Sequence, residues 1–143
     1  MASEAFENAF AVLGRDFANA GRVSTAIKDT LKGLGIHAPI VRRVAIASYE
    51  AEMNLVMYAS RGKMRLTVSS EAITIDVDDE GPGIEDVSLA MQEGYSTATP
   101  EMREMGFGAG MGLPNIRKNA DEFVITSEVG RGTRLHIRVN LLA

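Results

Sequence analysis

The sequence predicts an α+β fold, a two-layer α/β sandwich in which helices pack on antiparallel strand pairs. Residues 64–69 and 72–79 alternate between apolar and polar side chains around a short polar turn, which predicts a hairpin. Residues 123–129 and 135–141 repeat the pattern around Gly130-Arg131-Gly132 and predict a second hairpin. Segments of helical period lie before and between these pairs.

The helices are marked by apolar spacing and by glycine or proline at their ends. A helix is predicted over 18–34, where Gly33 and Gly35 act as stop signals, and its apolar stripe is Val23, Ile27, Leu31 and Leu34. A second helix starts near Pro39 and continues until residues 60–62. Shorter helices are predicted near 87–91 and over 113–120. Residues 4–17 fit a helix or a short strand equally well.

Length and composition limit the classes of function. The 143 residues predict one domain, 1–143, and the net charge of -4 gives no electrostatic footprint for nucleic acid or an anionic membrane. The absence of cysteine excludes disulfides and thiol catalysis. The N-terminus lacks the features of a signal peptide and no apolar run has bilayer length, so a cytoplasmic location is expected.

An acidic turn, residues 77–84, ends the second strand of the first hairpin. Side chains two apart in a strand share a face, so Asp79 lies in phase with the apolar side chains at positions 73, 75 and 77. A buried carboxylate needs a partner, and no Lys or Arg follows within the turn. Gly81 and Gly83 leave space beside it. This combination predicts a pocket floor that accepts a hydrogen bond from a ligand.

Glu50 and Asn54 lie four residues apart on the second predicted helix and therefore share one face. A carboxylate could serve as a general base there, and an amide oxygen could bind Mg²⁺ when a nucleotide supplies other ligands. An isolated pair of this kind is more often part of a solvated polar face. The pair alone decides nothing.

A glycine-rich run, residues 106–112, feeds into the helix predicted over 113–120. Backbone amides and the positive end of a helix dipole form a recurring phosphate site, although such a run can equally be a flexible hinge. The Gly-x-x-x-x-Gly-Lys-Ser/Thr motif is absent, and Gly108 and Gly110 lack the third glycine of Gly-x-Gly-x-x-Gly. A P-loop or dinucleotide-binding fold is excluded.

The order of these motifs carries more information than any one of them. Glu50-x-x-x-Asn54, Asp79-x-Gly81-x-Gly83, Gly108-x-Gly110-x-Gly112 and Gly130-x-Gly132-Thr133 follow each other along the chain. This order resembles the GHKL ATP-binding superfamily, which includes gyrase, Hsp90, histidine kinases and MutL. Within it, Gly94-Tyr95-Ser96-Thr97 and Leu113-Pro114 are most similar to the bacterial serine/threonine kinases that act as anti-sigma factors or stressosome switch proteins.

The resemblance implies a mixed, mostly antiparallel sheet covered on one face by helices, with an edge strand in the ambiguous N-terminal stretch. It implies ATP and Mg²⁺ as cofactors and an ATP lid over about 85–112. By similarity, Glu50 would be the catalytic base and Asn54 would hold Mg²⁺. The remaining nucleotide contacts would come from the adenine pocket (Asp79, Gly81, Gly83 and Thr133) and from the phosphate lid (Gly108, Gly110 and Gly112).

The resemblance also implies a function: phosphorylation of a STAS-domain protein in a partner-switching pathway that regulates a sigma factor, a PP2C-type phosphatase or a cyclase. The alternative is a nucleotide-gated anti-sigma or partner-binding module in which catalysis does not matter. A detached histidine-kinase catalytic domain fits less well, because no dimerisation helices with a phosphoacceptor histidine are present, and a simple ATPase would need no protein substrate. Both a monomer and a homodimer are compatible with the resemblance.

Overall fold

The computed structural model describes residues 6–93, 100 and 112–141, and it contains the predicted hairpins and helices. Five strands and four α-helices lie within these residues. Their bounds in chain order are β1 Phe6–Leu13, α1 Arg22–Gly33, α2 Ala38–Tyr58, β2 Arg61–Val68, β3 Ala72–Glu80, α3 Val87–Ala90, α4 Gly112–Asn119, β4 Glu122–Glu128 and β5 Gly132–Asn140. A short 3₁₀ turn, Phe17–Asn19, precedes α1.

The strands form one sheet in the order β1-β2-β3-β5-β4, and all four pairings among them are antiparallel. The two predicted hairpins, β2–β3 and β4–β5, are therefore joined through the pairing of β3 with β5. This pairing places Val77 opposite Leu135 and Asp78 opposite Arg134. The end of β3, which carries the acidic turn, consequently lies beside the start of β5.

One face of the sheet and three helices share a single core. The members of this core from α1, α2 and α4 include Val23, Ile27, Leu31, Val44, Leu55 and Ile116, and those from the sheet include Met64, Leu66, Ile73, Ile75, Val77 and Ile137. The other face of the sheet is polar. Asp76 Oδ1 lies 2.7 Å from His136 Nδ1, and Asp78 Oδ1 forms an ion pair with Arg134 Nε at 2.8 Å. The α+β two-layer fold is thereby confirmed.

Residues 6–13 form the edge strand β1, as the resemblance implied for the ambiguous N-terminal stretch. Two helix boundaries differ from the sequence prediction. The helix α1 begins four residues later than predicted because Phe17–Asn19 adopt the 3₁₀ turn. The helix α2 ends at Tyr58, before the predicted stop at residues 60–62. Gly62 is instead a strand residue under α2, where an added Cβ would lie 2.4 Å from the Leu55 side chain.

A buried carboxylate ties α1 to α2. Glu52, only 1% exposed, accepts hydrogen bonds from the backbone amides of Gly21 and Val23 at 3.1 Å and of Ser24 at 2.8 Å. The first turn of a helix has amides without intrahelical partners, and the N-cap residue Gly21 has no side chain to satisfy them. Glu52 therefore caps α1 from a neighbouring helix. None of the helices in the described part of the chain is long and apolar enough to cross a bilayer.

Candidate functional site

Asp79 lies at the end of β3 on the helix-covered side of the sheet. Its Oδ1 accepts the backbone N–H of Thr133 at 2.9 Å, and no described residue donates to its other carboxylate oxygen, Oδ2. Partial burial raises the pKa of Asp79, the Thr133 amide opposes this effect, and the nearby Asp78 adds to it. The site therefore presents a half-buried carboxylate with one free acceptor oxygen.

The turn after Asp79 is shaped by close backbone contacts. Gly83 adopts φ +76°, and a Cβ on it would lie 2.5 Å from the carbonyl oxygen of Glu128. The backbone N–H of Ile84 donates to the Ser127 hydroxyl at 2.7 Å. These contacts fix the turn against the end of β4, and a side chain at position 83 would force the two segments apart.

The start of β5 packs closely against the same carboxylate. A Cβ on Gly132 would lie 2.0 Å from the Asp79 backbone oxygen and 2.9 Å from its Oδ1, so only glycine allows this approach. Thr133 is buried, and its hydroxyl lies 2.9 Å from that of Ser127. The second hairpin thus supplies the floor behind Asp79 through backbone and hydroxyl groups.

The opposite part of the site is built on α2 and α4. Asn115 donates from Nδ2 to Glu50 Oε2 at 2.7 Å. A Cβ on Gly112, the first residue of α4, would lie 3.4 Å from Asn54 Oδ1. Glu50 and Asn54 are both half-buried, and no described residue forms a hydrogen bond with the Asn54 side chain. The shared face that the sequence predicted is therefore covered by the first turns of α4.

The two parts meet where α2 ends. A Cβ on Gly81 would lie 3.1 Å from Ala59 Cα, directly after α2, and 3.3 Å from Asp79 Oδ1. The structure therefore joins the helix that carries Glu50 and Asn54 to the acidic turn. Gly108 and Gly110 lie outside the described residues, as does most of the predicted lid over 85–112, of which α3 forms one part.

Sequence reasoning missed two residues that hold this site together, Ser127 and Asn115. Ser127 had a usable signal, because it is a polar side chain in phase with Phe123 and Ile125 on the inner face of β4. Asn115 had almost none, since its partner Glu50 lies 65 residues away in the chain. The hydrogen bond becomes visible only when α4 is placed on α2.

The arrangement combines an acceptor in a glycine-lined turn, an amide oxygen free to bind a metal ion, and a carboxylate held by a neighbouring helix. Within the part of the chain that the structure describes, no group of three or more His, Cys, Asp or Glu side chains could hold a metal ion. An amide oxygen such as that of Asn54 is a suitable ligand for Mg²⁺ when phosphate oxygens and water complete the coordination. Such a geometry suits a nucleotide-binding domain.

The family of histidine kinase-like ATPase domains matches residues 13–139 of the chain. The chain belongs to this family, and the resemblance to the GHKL superfamily is confirmed. The chain is 30% identical over 112 residues to the serine/threonine-protein kinase RsbT of Bacillus subtilis. The aligned region covers 76% of this chain and 78% of RsbT. The chain is 36% identical over 103 residues to the anti-sigma F factor of Caldanaerobacter subterraneus, covering 66% of this chain and 68% of that protein.

Proposed function

We propose that this chain is an ATP-dependent serine/threonine protein kinase of a partner-switching signalling pathway. The observation that carries the proposal is the carboxylate of Glu50, which accepts a hydrogen bond from Asn115. One turn further along the same helix lies Asn54, whose side-chain amide forms no hydrogen bond with a described residue. A positioned base next to a cation ligand is what transfer to a hydroxyl requires. The similarity to the kinase RsbT supports the same assignment.

Asp79 would recognise the adenine base. Its free Oδ2 can accept a hydrogen bond from the exocyclic amine, while Oδ1 remains with the Thr133 amide. Gly81 and Gly83 keep side chains away from this carboxylate and its turn, so a flat base can approach. A charge-assisted hydrogen bond in a partly buried site gives both affinity and selection for an amine.

Asn54 would hold Mg²⁺ together with the phosphates of ATP. When bound, the ion would neutralise charge on the transferring phosphoryl group. Gly112 lies beside Asn54, because a Cβ on Gly112 would be in van der Waals contact with the Asn54 amide oxygen at 3.4 Å, and glycine leaves that space open. Gly108 and Gly110 are proposed to contact the phosphates through their backbone amides, as the resemblance implies.

Glu50 would act as the general base. Its carboxylate takes the proton of a substrate serine or threonine hydroxyl as the hydroxyl oxygen bonds to the γ-phosphorus. The bond from that phosphorus to the β,γ-bridging oxygen breaks, and ADP leaves with the electron pair. The products are a phosphoprotein, ADP and a protonated Glu50, which then releases its proton to solvent.

The substrate that we propose is a STAS-domain antagonist or scaffold protein in the cytoplasm. Its phosphorylation would change which partner the kinase binds, and the downstream target would be a sigma factor, a PP2C-type phosphatase or a cyclase. Genes beside the coding sequence give the first test. A STAS gene next to a phosphatase gene favours the switch role, whereas a sigma-factor gene favours sequestration.

The direct test is transfer of ³²P from γ-labelled ATP to a STAS-domain protein. Glu50→Ala should lower transfer by about 10²-fold or more while the dissociation constant of Mg-ADP, measured by calorimetry, changes little. Glu71→Ala, in the exposed turn between β2 and β3, is the matched control and should retain full transfer. Transfer by Glu50→Ala at the wild-type rate would exclude Glu50 as the base.

A second candidate is a nucleotide-gated binding module that sequesters a sigma factor. The similarity to anti-sigma F factors favours it, and it needs Asp79 and Asn54 but not Glu50. The Glu50→Ala variant separates the two. If the Glu50→Ala variant still regulates its partner in cells, the protein functions as a binding module. If regulation is lost together with phosphoryl transfer, the protein functions as a kinase.

A further inference from the structure

The Glu50–Asn115 contact joins two helices that are far apart in sequence. Asn115 Nδ2 lies 2.7 Å from Glu50 Oε2 across 65 residues, in a part-buried position between α2 and α4. A glutamate side chain on a helix surface is free to sample several rotamers. The amide of Asn115 restricts it by engaging one of its two carboxylate oxygens. The other oxygen, Oε1, accepts no hydrogen bond from a described residue.

Asn115 is itself held firmly by the helix that carries it. Leu113, Pro114 and Ile116, which surround it in sequence, are all buried. Its backbone oxygen accepts a hydrogen bond from Asn119 Nδ2 at 2.8 Å. The backbone that carries the Asn115 amide is therefore held against the core, which favours a preorganised position for the donor.

We propose that Asn115 is a positioning residue for phosphoryl transfer: its amide holds Glu50 Oε2 so that Oε1 is left to receive the substrate proton. The inference rests on the proposed function, in which Glu50 is the base. Asn115 touches neither ATP nor the protein substrate in this scheme. It acts only through the orientation of Glu50, so its removal should slow the chemical step without weakening nucleotide binding.

The test compares kcat with KM for transfer from γ-labelled ATP to a STAS-domain protein. Asn115→Ala should lower kcat about 10-fold and leave KM for ATP and the Kd of Mg-ADP within about twofold of wild type. Asn115→Asp keeps the shape but replaces the donor with an acceptor, so it should lower kcat further than Asn115→Ala. Arg117→Ala, an exposed change on the same helix, is the control and should leave both constants unchanged.

A double variant tests whether Asn115 acts through Glu50 alone. In a Glu50→Gln background, adding Asn115→Ala should not lower the residual rate further. The side-chain amide signal of Asn115 in a ¹⁵N–¹H spectrum should also shift between wild type and Glu50→Gln.

The outcomes separate the two proposals. Loss of transfer in Glu50→Gln with wild-type kcat in both Asn115 variants would overturn the positioning role alone. Wild-type transfer in Glu50→Gln would overturn the base and, with it, the role of Asn115. Equal losses from Asn115→Ala in both backgrounds would show that Asn115 acts by another route, and would also overturn the inference.

Discussion

Replacing Asp79 by asparagine tests how the site would recognise a base. The change keeps the shape of the side chain but removes its charge and one acceptor. The backbone N–H of Thr133, 2.9 Å from Oδ1, still needs an acceptor, so the amide oxygen of the variant should stay in that position. Its NH₂ group would then occupy the place of the free Oδ2, and a donor would face the amine of adenine.

The magnitude follows from the hydrogen bond that is lost. A hydrogen bond to a charged group contributes about 1.5–3 kcal/mol, so the Kd of Mg-ATP should rise about 10-fold to 150-fold. Inosine triphosphate carries a carbonyl oxygen where adenine carries the amine, and it can accept from the new NH₂ group. Asp79→Asn should therefore lower the preference for ATP over the inosine nucleotide.

Calorimetry with both Mg-nucleotides, on wild type and Asp79→Asn, measures this change in preference. The same ATP-to-inosine ratio in the two proteins would refute the assignment of Asp79 to the base.

Stability provides the control for folding. Burial raises the pKa of Asp79, so the stability due to this group is present at low pH and is lost as the pH rises through the folded-state pKa. Asp79→Asn has no such loss. Urea unfolding should show the variant gaining stability relative to wild type as the pH rises from about 4, near the unfolded-state pKa of an aspartate, through the raised folded-state pKa. The opposite trend would show that the carboxylate is stabilised by its surroundings.

Three further changes test the packing around the site. Glu52→Ala leaves three backbone amides at the start of α1 without their acceptor and should lower the free energy of unfolding by about 3 kcal/mol or more. Glu71→Ala is the control and should change this free energy little. Equal values for the two variants in urea titrations would contradict the capping role. Gly83→Ala and Gly35→Ala both place a side chain at a φ of +76°, but only the Cβ at position 83 would meet a backbone oxygen. The free energy of unfolding should therefore fall by about 1 kcal/mol for Gly35→Ala and by clearly more for Gly83→Ala. A backbone amide of β5 lowers the pKa of Asp121, so Asp121→Asn should reduce stability at neutral pH, and the difference should vanish as the pH falls through that pKa.

The parts of the fold that sequence could predict are those with local causes. The alternation of residues 72–79 predicted both the strand and the face on which Asp79 lies. Side chains in a strand alternate between its two faces, so burial of the apolar face also fixes the face of Asp79. Residues 4–17 were ambiguous for the opposite reason. Phe6 and Phe10 are spaced to suit a helix, and only the pairing of β1 with β2 decides for a strand.

The parts of the site that sequence could not supply depend on how helices pack against each other. Glu52 lies in phase with the buried residues Ser48 and Leu55, which gave a hint that it was internal. Its role requires the start of α1, at Gly21, to lie against it. Likewise, Asn115 gains a meaning only from the placement of α4. Contacts of this kind arise from the tertiary arrangement and leave no periodic trace in a single sequence.

The helix α2 also has a thermodynamic consequence for any ligand. Glu50 and Asn54 are carried by a helix of 21 residues whose inner face packs into the core, with Ala51 and Leu55 almost inaccessible to solvent. We expect the amides at the centre of such a helix to exchange with a free energy close to that of global unfolding. The backbone that carries the proposed base and metal ligand is therefore already ordered in the free protein, and ATP does not have to supply the entropy of arranging it.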